Sequence, residues 1–401
     1  MAETSSAISR RFEELDGLRG LAILLVLAWH FVHNPASTST ALDGQLKSIV
    51  TGLPFSLGWT GVDLFFILSG FLIGSSIINI KSRKVGLKGY AIKRFFRIVP
   101  LYLILLVSYW VAIFTGYLSQ SPGLSKWFLG IEPAPIWNFL TFTNNFWHAE
   151  TNRFGPMWLG VTWSLAIEMQ FYLLTPVVVF LARGKALPFI CVAICILAFA
   201  YRIWLAGDSQ VTDAHVLTFA RLDTLFIGVL LAWVAFRFPK FELDGKISAI
   251  VFLLTIILLM IVVYYHTHDT RIFSQWMQTV GYTLIALLYA GLFMLVHFGK
   301  PGSIMRRTFS IAPLRWLGDI SYPVYLFHFP VHAVVLYVMK RSSVTADTPS
   351  MLATGLITIT ITLAVAWGMH VTIENPAIKW SRKLAKRAQT TRQRRTLGAQ
   401  G

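Results

Sequence analysis

The first apolar stretch of this chain, ELDGLRGLAILLVLAWHFVHN over residues 14–34, contains an arginine and a histidine eleven residues apart. In an α-helix this separation is about three turns, which places Arg19 and His30 on nearly one face and about 16 Å apart along the axis. A permanently charged guanidinium suits an anionic group of a ligand, and a neutral imidazole can act as a general base. The alternative is an ordinary arginine at a membrane edge and a histidine hydrogen-bonded to another helix. The pair together favours a binding group and a general base on one helix.

A glutamate lies inside another apolar stretch, GPMWLGVTWSLAIEMQFYLLTP, at position 168. At about 1.5 Å per residue it lies roughly 12–15 Å from the outer end of its helix, a depth similar to that of His30. A carboxylate beside an imidazole selects its tautomer and stabilises the imidazolium that forms on protonation. We therefore predict that Glu168 orients His30. The alternative is a protonated glutamic acid that hydrogen-bonds between helices.

Two further arginines lie three residues apart in KRFFRIVPLY, so Arg94 and Arg97 are neighbours on one helix face. Together with Arg19 they would form a cradle for phosphate groups, or they are basic anchors at the membrane edge. Ser69 and Gly70, in FFILSGFLIG, are small residues within an apolar stretch. They either allow close packing of helices or leave room for a slender chain to pass.

Other polar side chains also lie within apolar stretches, where ionisable groups are costly and therefore candidates for function. They are Asp63, Ser164, Arg202, Arg221, Asp223, Tyr322, His328 and Glu374. Arg221 and Asp223 are two residues apart and do not share a helix face, so we expect each to pair with another helix. Glu374 precedes Asn375–Pro376 and could pair with one of the arginines. His328 and His332 lack carboxylate companions, and Cys191 and Cys195 lie alone in an apolar run, so no metal site is predicted.

These residues must be positioned by helices that cross a membrane. Of the 401 residues, 55% are hydrophobic and 13% charged, whereas soluble domains carry about a quarter charged residues. Ten apolar stretches are long enough to cross a hydrocarbon core of about 30 Å. They are 18–35, 60–80, 96–118, 158–182, 186–206, 214–237, 247–266, 276–298, 318–339 and 352–374. We predict an all-α integral membrane protein with one polytopic domain over 1–378.

The basic residues indicate the orientation of these helices. The net charge is +17, yet one set of loops contains only Lys47, Lys126, Arg153, Arg271, Lys340 and Arg341, 6 of the 35 lysines and arginines. The positive-inside rule therefore places both termini in the cytoplasm, and this loop pattern argues against a nucleic-acid partner. We expect the basic segment 379–401 to be a flexible tail that lies against anionic lipid headgroups. The outer segment 119–157 combines aromatic and amide side chains, which suits either a sugar or an aromatic belt at the membrane surface.

Six segments together resemble membrane acyltransferase family 3, whose members O-acylate sugars of bacterial surface polysaccharides and some secondary metabolites. They are LDGLRGLAILLVLAWH, GVDLFFILSGFLIG, KRFFRIVPLY, WSLAIEMQFYLLTP, RLDTLFIG and GDISYPVYLFHFP, in the order of the family and spread from about residue 12 to about residue 380. By this resemblance His30 matches the proposed catalytic histidine and Arg19 the arginine required with it.

The remaining matches concern the third, fourth and last helices. Arg94 and Arg97 match the family's basic pair, and Ser164 and Glu168 match its WSL…E block. TIENPAIKW matches in its glutamate, Glu374, and its proline. No esterase-like domain, such as some relatives carry at the C-terminus, follows in this sequence, so we expect a stand-alone membrane form in which any second transfer step needs another protein.

The resemblance implies an acyltransferase of the bacterial cytoplasmic membrane that uses cytosolic acyl-CoA. Its phosphates would bind the arginines, its pantetheine arm would pass Ser69, and its thioester would reach His30. The acceptor, a hydroxyl of a saccharide or glycosylated molecule, would enter from the outer side past Asp63. The small residues at positions 69, 70 and 74 suggest a narrow passage and thus an acetyl group. The alternative is a secondary transporter or flippase for a lipid-linked sugar or small metabolite, although the sequence shows no internal repeat.

Overall fold

The computed structural model describes residues 12–33, 52, 55–119, 121–130, 134–207, 213–268, 274–341 and 348–398. These residues are mostly helical and contain one isolated β-bridge, between Leu243 and Gly299, and no strand. A backbone in lipid must satisfy its hydrogen bonds internally, which an α-helix does within each segment. The all-α prediction is therefore confirmed.

Ten helical spans among the described residues are long and apolar enough to cross a membrane, as predicted. We number them in chain order: Glu13–His33, Phe55–Ser82, Lys88–Phe114, Met157–Leu181, Ala186–Ala206, Asp213–Arg237, Gly245–Tyr264, Met277–His297, Ser321–Met339 and Leu352–Ala388. Helical structure continues beyond the seventh span to His268 and beyond the ninth to Arg341, and it begins before the tenth at Thr348. Short helices, Pro122–Leu129, Ile136–Leu140 and Asn144–Thr151, connect the third and fourth spans, and Ile304–Phe309 and Ala312–Asp319 connect the eighth and ninth.

The first span changes its helix type just before His30. It is α-helical over Glu13–Ala28 and forms a π-helical turn over Trp29–His33. A π-turn adds one residue to the hydrogen-bonded loop, so it rotates the side chains that follow, and such turns are frequent at functional sites. Arg19 and His30 nevertheless both face the ninth span: Arg19 Nη2 donates to Ser321 Oγ over 3.1 Å, and the His30 ring packs on His328. The prediction of one shared face is confirmed.

Two buried ion pairs and one hydrogen bond join four of the spans. Arg221 of the sixth span donates to Asp63 of the second, and Arg202 of the fifth donates to Asp223 of the sixth over 2.6 Å. Thr283 of the eighth span adds a 3.1 Å hydrogen bond to the same Asp223 oxygen. All four charged residues are at most 1% exposed. The expectation that Arg221 and Asp223 pair with other helices is confirmed, and Asp63 belongs to this structural network.

Close backbone contact between the second and sixth spans depends on two glycines. A Cβ added to Gly70 would collide with the backbone oxygen of Leu225, and one added to Gly228 with the backbone oxygen of Ile67. Small residues let two helix backbones approach in a membrane, where van der Waals contact drives helix association. Gly70 therefore serves helix packing, which was one of the two alternatives for it.

The basic C-terminal segment differs from the prediction of a flexible tail. Its described part is helical over Asn375–Gly398 and packs on the third span. The Trp380 ring lies 4.8 Å from that of Phe96, and Ser381 and Ala385, one turn apart, are buried. A face of small and aromatic residues at helical spacing thus gives this segment a packing surface.

Part of the charge pattern falls outside the described residues. Lys47 and Arg271 lie there, as do the side chains of Lys340 and Arg341. The placement of both termini in the cytoplasm stays a prediction. Below, inner and outer refer to this predicted orientation.

We expect Arg221→Met to lower the free energy of unfolding by about 3–5 kcal/mol, because it leaves Asp63 as an unpaired buried charge. The double variant Asp63→Leu with Arg221→Met should recover much of this loss, since neither charge then remains. As a control, Arg315→Met breaks a pair with Glu13 that is 33% and 56% exposed and should change stability by less than about 1 kcal/mol. Thermal melting of the purified protein in detergent compares the stability of the three variants with that of the wild type. An unchanged melting temperature for Arg221→Met would contradict a structural role for the Arg221–Asp63 pair.

Candidate active site

A cavity of about 90 Å³ lies among the first, second, third, fourth and ninth spans. Apolar residues such as Phe65 and Leu72 form part of its wall. Seven of the residues singled out from the sequence also line it: Arg19, Ser69, Arg94, Arg97, Ser164, Glu168 and Tyr322. The structure therefore gathers in one place side chains that come from five separate helices.

Glu168 lies at the middle of this cavity and is held by two hydroxyl groups. Ser69 Oγ and Tyr172 Oη each donate to its Oε1 over 2.6 Å. Hydrogen bonds to a carboxylate are stronger than those between neutral groups, so this pair of donors fixes the carboxylate firmly. Among the described residues the other oxygen, Oε2, has no hydrogen-bond donor, and it is available to a ligand in the cavity.

The inner end of the cavity is strongly basic. Arg97 lines it without forming an ion pair among the residues that the structure describes. The Arg94 guanidinium stacks on the rings of Tyr90 and Tyr172, at 5.7 and 5.3 Å from their centres. Asp16 lies 3.7 Å from Arg19, and the charges of Glu374 and Asp319 also act on it. Three guanidinium groups close together attract anions, and their planar donors suit phosphate oxygens.

The outer end of the cavity is formed by hydroxyl groups. Ser164 Oγ and Tyr325 Oη are 2.6 Å apart, and both residues line the cavity. One turn further along the ninth span lies His328, whose ring centre is 6.1 Å from that of Tyr325. The His30 ring lies 5.0 Å beyond that, centre to centre, and 4.8 Å from the Phe329 ring. The two histidines thus continue the row of polar side chains beyond the outer end of the cavity.

One predicted contact is wrong and a second is formed only in part. Glu168 forms no hydrogen bond with His30 among the described residues, because Glu168 lines the cavity whereas His30 lies outside its wall. Glu374 is bound within its own helix, where Nδ1 of His370 lies 2.7 Å from Oε2; its charge also acts on Arg19, although the two form no ion pair in the described part of the chain. A local partner one helical turn away was closer than any arginine of another span.

Several other predicted residues lie outside the cavity wall. Asp63, Arg221 and Asp223 are engaged in the buried ion pairs, and His30 and His328 lie beyond Tyr325. Cys191 and Cys195 are free thiols.

Sequence reasoning missed three polar residues of the cavity: Tyr172, Ser321 and Tyr325. For Tyr172 a signal existed, since it follows Glu168 by four residues and so lies on the same helix face. Tyr325 similarly follows Tyr322 by three. Ser321 carried no such signal, because its importance comes from contact with Arg19 of a distant span.

The outer segment between the third and fourth spans uses its amides for structure. Asn144 donates to Thr162 over 3.0 Å, and Asn145 donates to Thr218 over 3.0 Å. His148 is also buried, and burial lowers its pKa to about 4 although the backbone oxygen of Arg153 bonds its Nδ1. Among the described residues of this segment, the exposed large aromatic side chains include Trp127 and Trp137. Buried amides with exposed aromatic rings favour the aromatic belt over a sugar site here.

Comparison with known proteins adds the family. The profile of an acyltransferase domain matches residues 12–371 of this chain. The chain belongs to acyltransferase family 3. The resemblance inferred from the sequence is therefore confirmed, and the cavity residues lie within the matched range.

Two relatives illustrate the similarity. The chain is 27% identical to the peptidoglycan O-acetyltransferase OatA of Listeria monocytogenes over 356 residues, which cover 85% of this chain and 52% of that protein. It is 29% identical to the O-acetyltransferase OatA of Staphylococcus aureus over 337 residues, which cover 79% and 50%. The chain thus spans about half the length of these relatives. No solved structure matches it.

We expect a cysteine at position 69 to be reachable from the inner side, because Ser69 lines the cavity. In a protein whose Cys191 and Cys195 have been replaced by alanine, Ser69→Cys should react with a small charged thiol reagent several-fold faster than Ile67→Cys. Ile67 lies on the same span and is 0% exposed, and thiol reactivity depends on solvent access. Mass spectrometry of the labelled protein measures both rates; equal labelling of the two positions would argue against an accessible cavity.

Proposed function

We propose that this protein is an O-acetyltransferase of the bacterial cytoplasmic membrane. It moves an acetyl group from cytosolic acetyl-CoA to a hydroxyl of a saccharide or glycosylated acceptor, for which peptidoglycan is the first choice. The main support is geometric: a row of polar side chains leads from three arginines, through Glu168 and Ser69, to His328 and His30. Membership of an acyltransferase family and relatives named as O-acetyltransferases support the reaction class.

The donor would bind from the inner end. The nucleotide phosphates of acetyl-CoA would be held by Arg94, Arg97 and Arg19, since bidentate guanidinium groups suit phosphate oxygens. The pantetheine arm carries amide N–H groups, one of which would donate to the free Oε2 of Glu168. A cavity of about 90 Å³ favours a short acyl group such as acetyl over a long acyl chain.

The acceptor would react at the outer end. His30 removes the proton of the acceptor hydroxyl as the oxygen attacks the thioester carbonyl carbon. A tetrahedral intermediate forms, and the Ser164 and Tyr325 hydroxyls would turn from the Val161 carbonyl to stabilise its oxyanion. The C–S bond then breaks, and the sulfur takes the proton from His30 and leaves as the free thiol of coenzyme A. A route through an acyl-histidine would use the same residue as nucleophile.

The transporter alternative has less support. Its basis is the ten spans and the ionisable residues buried within them. Four of these buried residues form ion pairs between helices: Asp63, Arg202, Arg221 and Asp223. A residue on a transport pathway must exchange partners with substrate. The acyltransferase match over 12–371 leaves no separate part of the chain for transport.

We expect His30→Ala to abolish acetyl transfer while acetyl-CoA still binds, because general base catalysis contributes about 10²–10⁴-fold to the rate. Purified protein in nanodiscs is given acetyl-CoA and peptidoglycan fragments; release of coenzyme A and the mass of the fragments are followed. His33→Ala is the matched control, since His33 lies in the same π-turn and its ring stacks on Trp29. A folded His30→Ala variant that still acetylates the fragments would refute the mechanism.

We expect Arg97→Gln to weaken acetyl-CoA binding by roughly tenfold or more, because hydrogen bonds to charged groups contribute about 1.5–3 kcal/mol. Affinity is measured by calorimetry in nanodiscs at two salt concentrations, and the loss should be larger at low salt. Acetyl-pantetheine, which lacks the nucleotide, should bind the variant as it binds the wild type. Arg315→Gln, outside the cavity, serves as a control for charge alone. If Arg97→Gln leaves the affinity for acetyl-CoA unchanged, the arginine only anchors the helix.

A further inference from the structure

The hydrogen bonds of His328 define which of its ring nitrogens carries the proton. Nδ1 lies 2.8 Å from the backbone oxygen of Tyr325 and 3.3 Å from that of Val324. Carbonyl oxygens only accept hydrogen bonds, so Nδ1 is the protonated nitrogen. In a neutral ring the other nitrogen, Nε2, then has a free lone pair and can accept a hydrogen bond.

That lone pair has no donor among the described residues. His328 is 0% exposed, and its Nε2 is buried and unbonded. The Nδ1 of His30 is likewise buried without a hydrogen-bond partner. The two rings are 5.0 Å apart, centre to centre, and inclined by 35°. Buried polar atoms are nearly always bonded in native proteins, so two unbonded nitrogens on adjacent rings require an explanation.

The other aromatic neighbours of His30 cannot supply a bond. Phe31 and Phe329, at 6.4 and 4.8 Å between ring centres, have no acceptor nitrogen or oxygen in their side chains. Glu168, the acceptor expected from the sequence, lines the cavity, whereas His30 lies outside its wall. The backbone carbonyl of Val26, one turn earlier in the same helix, neighbours the His30 ring, but Nδ1 makes no hydrogen bond of ordinary geometry. On the ring that packs against His30, Nε2 of His328 is the unbonded acceptor.

We propose that His328 is the positioning residue for His30. A small rotation of the His30 ring makes an Nδ1–H···Nε2 hydrogen bond to His328, and this leaves the lone pair of His30 on its own Nε2, towards the acceptor. This inference rests on the proposed function and adds a residue to it. In effect, a neutral imidazole takes the place that a carboxylate occupies in many catalytic triads.

The proton count follows from this arrangement. The proton of the acceptor hydroxyl moves to Nε2 of His30 when the acceptor oxygen bonds to the acetyl carbon, and it moves to the thiolate sulfur when the C–S bond breaks. His30 keeps its Nδ1 proton throughout, and His328 keeps its own. While His30 is an imidazolium, the hydrogen bond to His328 stabilises its charge, and the carbonyls of Tyr325 and Val324 stabilise the polarised His328 ring.

His332 provides a matched control. It lies one turn further along the same span, its ring is 4.9 Å from that of Phe31, and its Nδ1 is 3.0 Å from Thr358 Oγ1. It is thus a partly buried, hydrogen-bonded histidine in the same helix, and its ring packs on a neighbour of His30. A general effect of removing an imidazole from this region would appear equally at both positions.

The test compares His328→Phe, His328→Gln and His332→Phe in the full chain in nanodiscs, with acetyl-CoA and peptidoglycan fragments. We expect His328→Phe to lower kcat roughly 100-fold with an unchanged KM for acetyl-CoA, since only the transition state needs the oriented base. Glutamine can accept a hydrogen bond from His30 and donate one to the Tyr325 carbonyl. The kcat of His328→Gln should therefore be at least tenfold higher than that of His328→Phe. His332→Phe should stay within about twofold of the wild type.

A second measurement is made on the wild-type protein and does not depend on how the His328 variants fold. Nitrogen NMR of the wild type with ¹⁵N-labelled histidine rings reports which nitrogen of each ring is protonated, and the spectrum of His30→Gln identifies the His30 signals. We expect a protonated Nδ1 and an unprotonated Nε2 in His30. The opposite tautomer would overturn the proposal.

The outcomes separate this inference from the proposed function. If His328→Phe keeps the wild-type kcat while His30→Ala is inactive, His328 only packs and the transferase reaction stands. The same holds if both His328 variants lose activity equally together with thermal stability. If His30→Ala remains active, the proposed function itself fails.

Discussion

The structure depends on one constraint: a charge buried among membrane helices must find a partner there, because no water is available to solvate it. Asp63 with Arg221 and Arg202 with Asp223 meet this requirement across the second, fifth and sixth spans, and Thr283 of the eighth span donates a hydrogen bond to Asp223. An ion pair that is fully buried tolerates little displacement, since the loss of either partner leaves a costly charge. These four spans therefore form a fixed body against which the remaining helices are placed.

The second span connects this body to the cavity by presenting different residues on different sides. Gly70 allows the backbone of the sixth span to approach closely, whereas its neighbour Ser69 faces the cavity and donates to Glu168. Successive residues on a helix point about 100° apart, so adjacent positions can serve packing and ligand binding separately. The position of Ser69, and through it that of Glu168, is thus determined by the contact that Gly70 makes on the other side.

The ninth span forms a common wall for the whole proposed reaction path. Ser321, Tyr325 and His328 are spaced by four and three residues, which places them along one face. At the inner end Ser321 binds Arg19, in the middle Tyr325 bonds Ser164, and at the outer end His328 packs on His30. A single rigid helix thus sets the separation between the basic inner end and the two histidines, and a donor bound by its phosphates would present its thioester at a defined distance.

The sequence by itself determined the ten spans, because the thickness of a bilayer and the cost of polar groups within it constrain length and composition directly. It also identified most of the polar cavity residues, including Arg19, Ser69 and Glu168, since such side chains are rare in apolar stretches. Only the tertiary structure decided their partners. Glu168 bonds Ser69 and Tyr172, and His30 faces His328, because the rotation of each helix and the π-turn that contains His30 follow from packing between spans distant in the chain. Interhelical contacts of that kind leave no local pattern in the sequence.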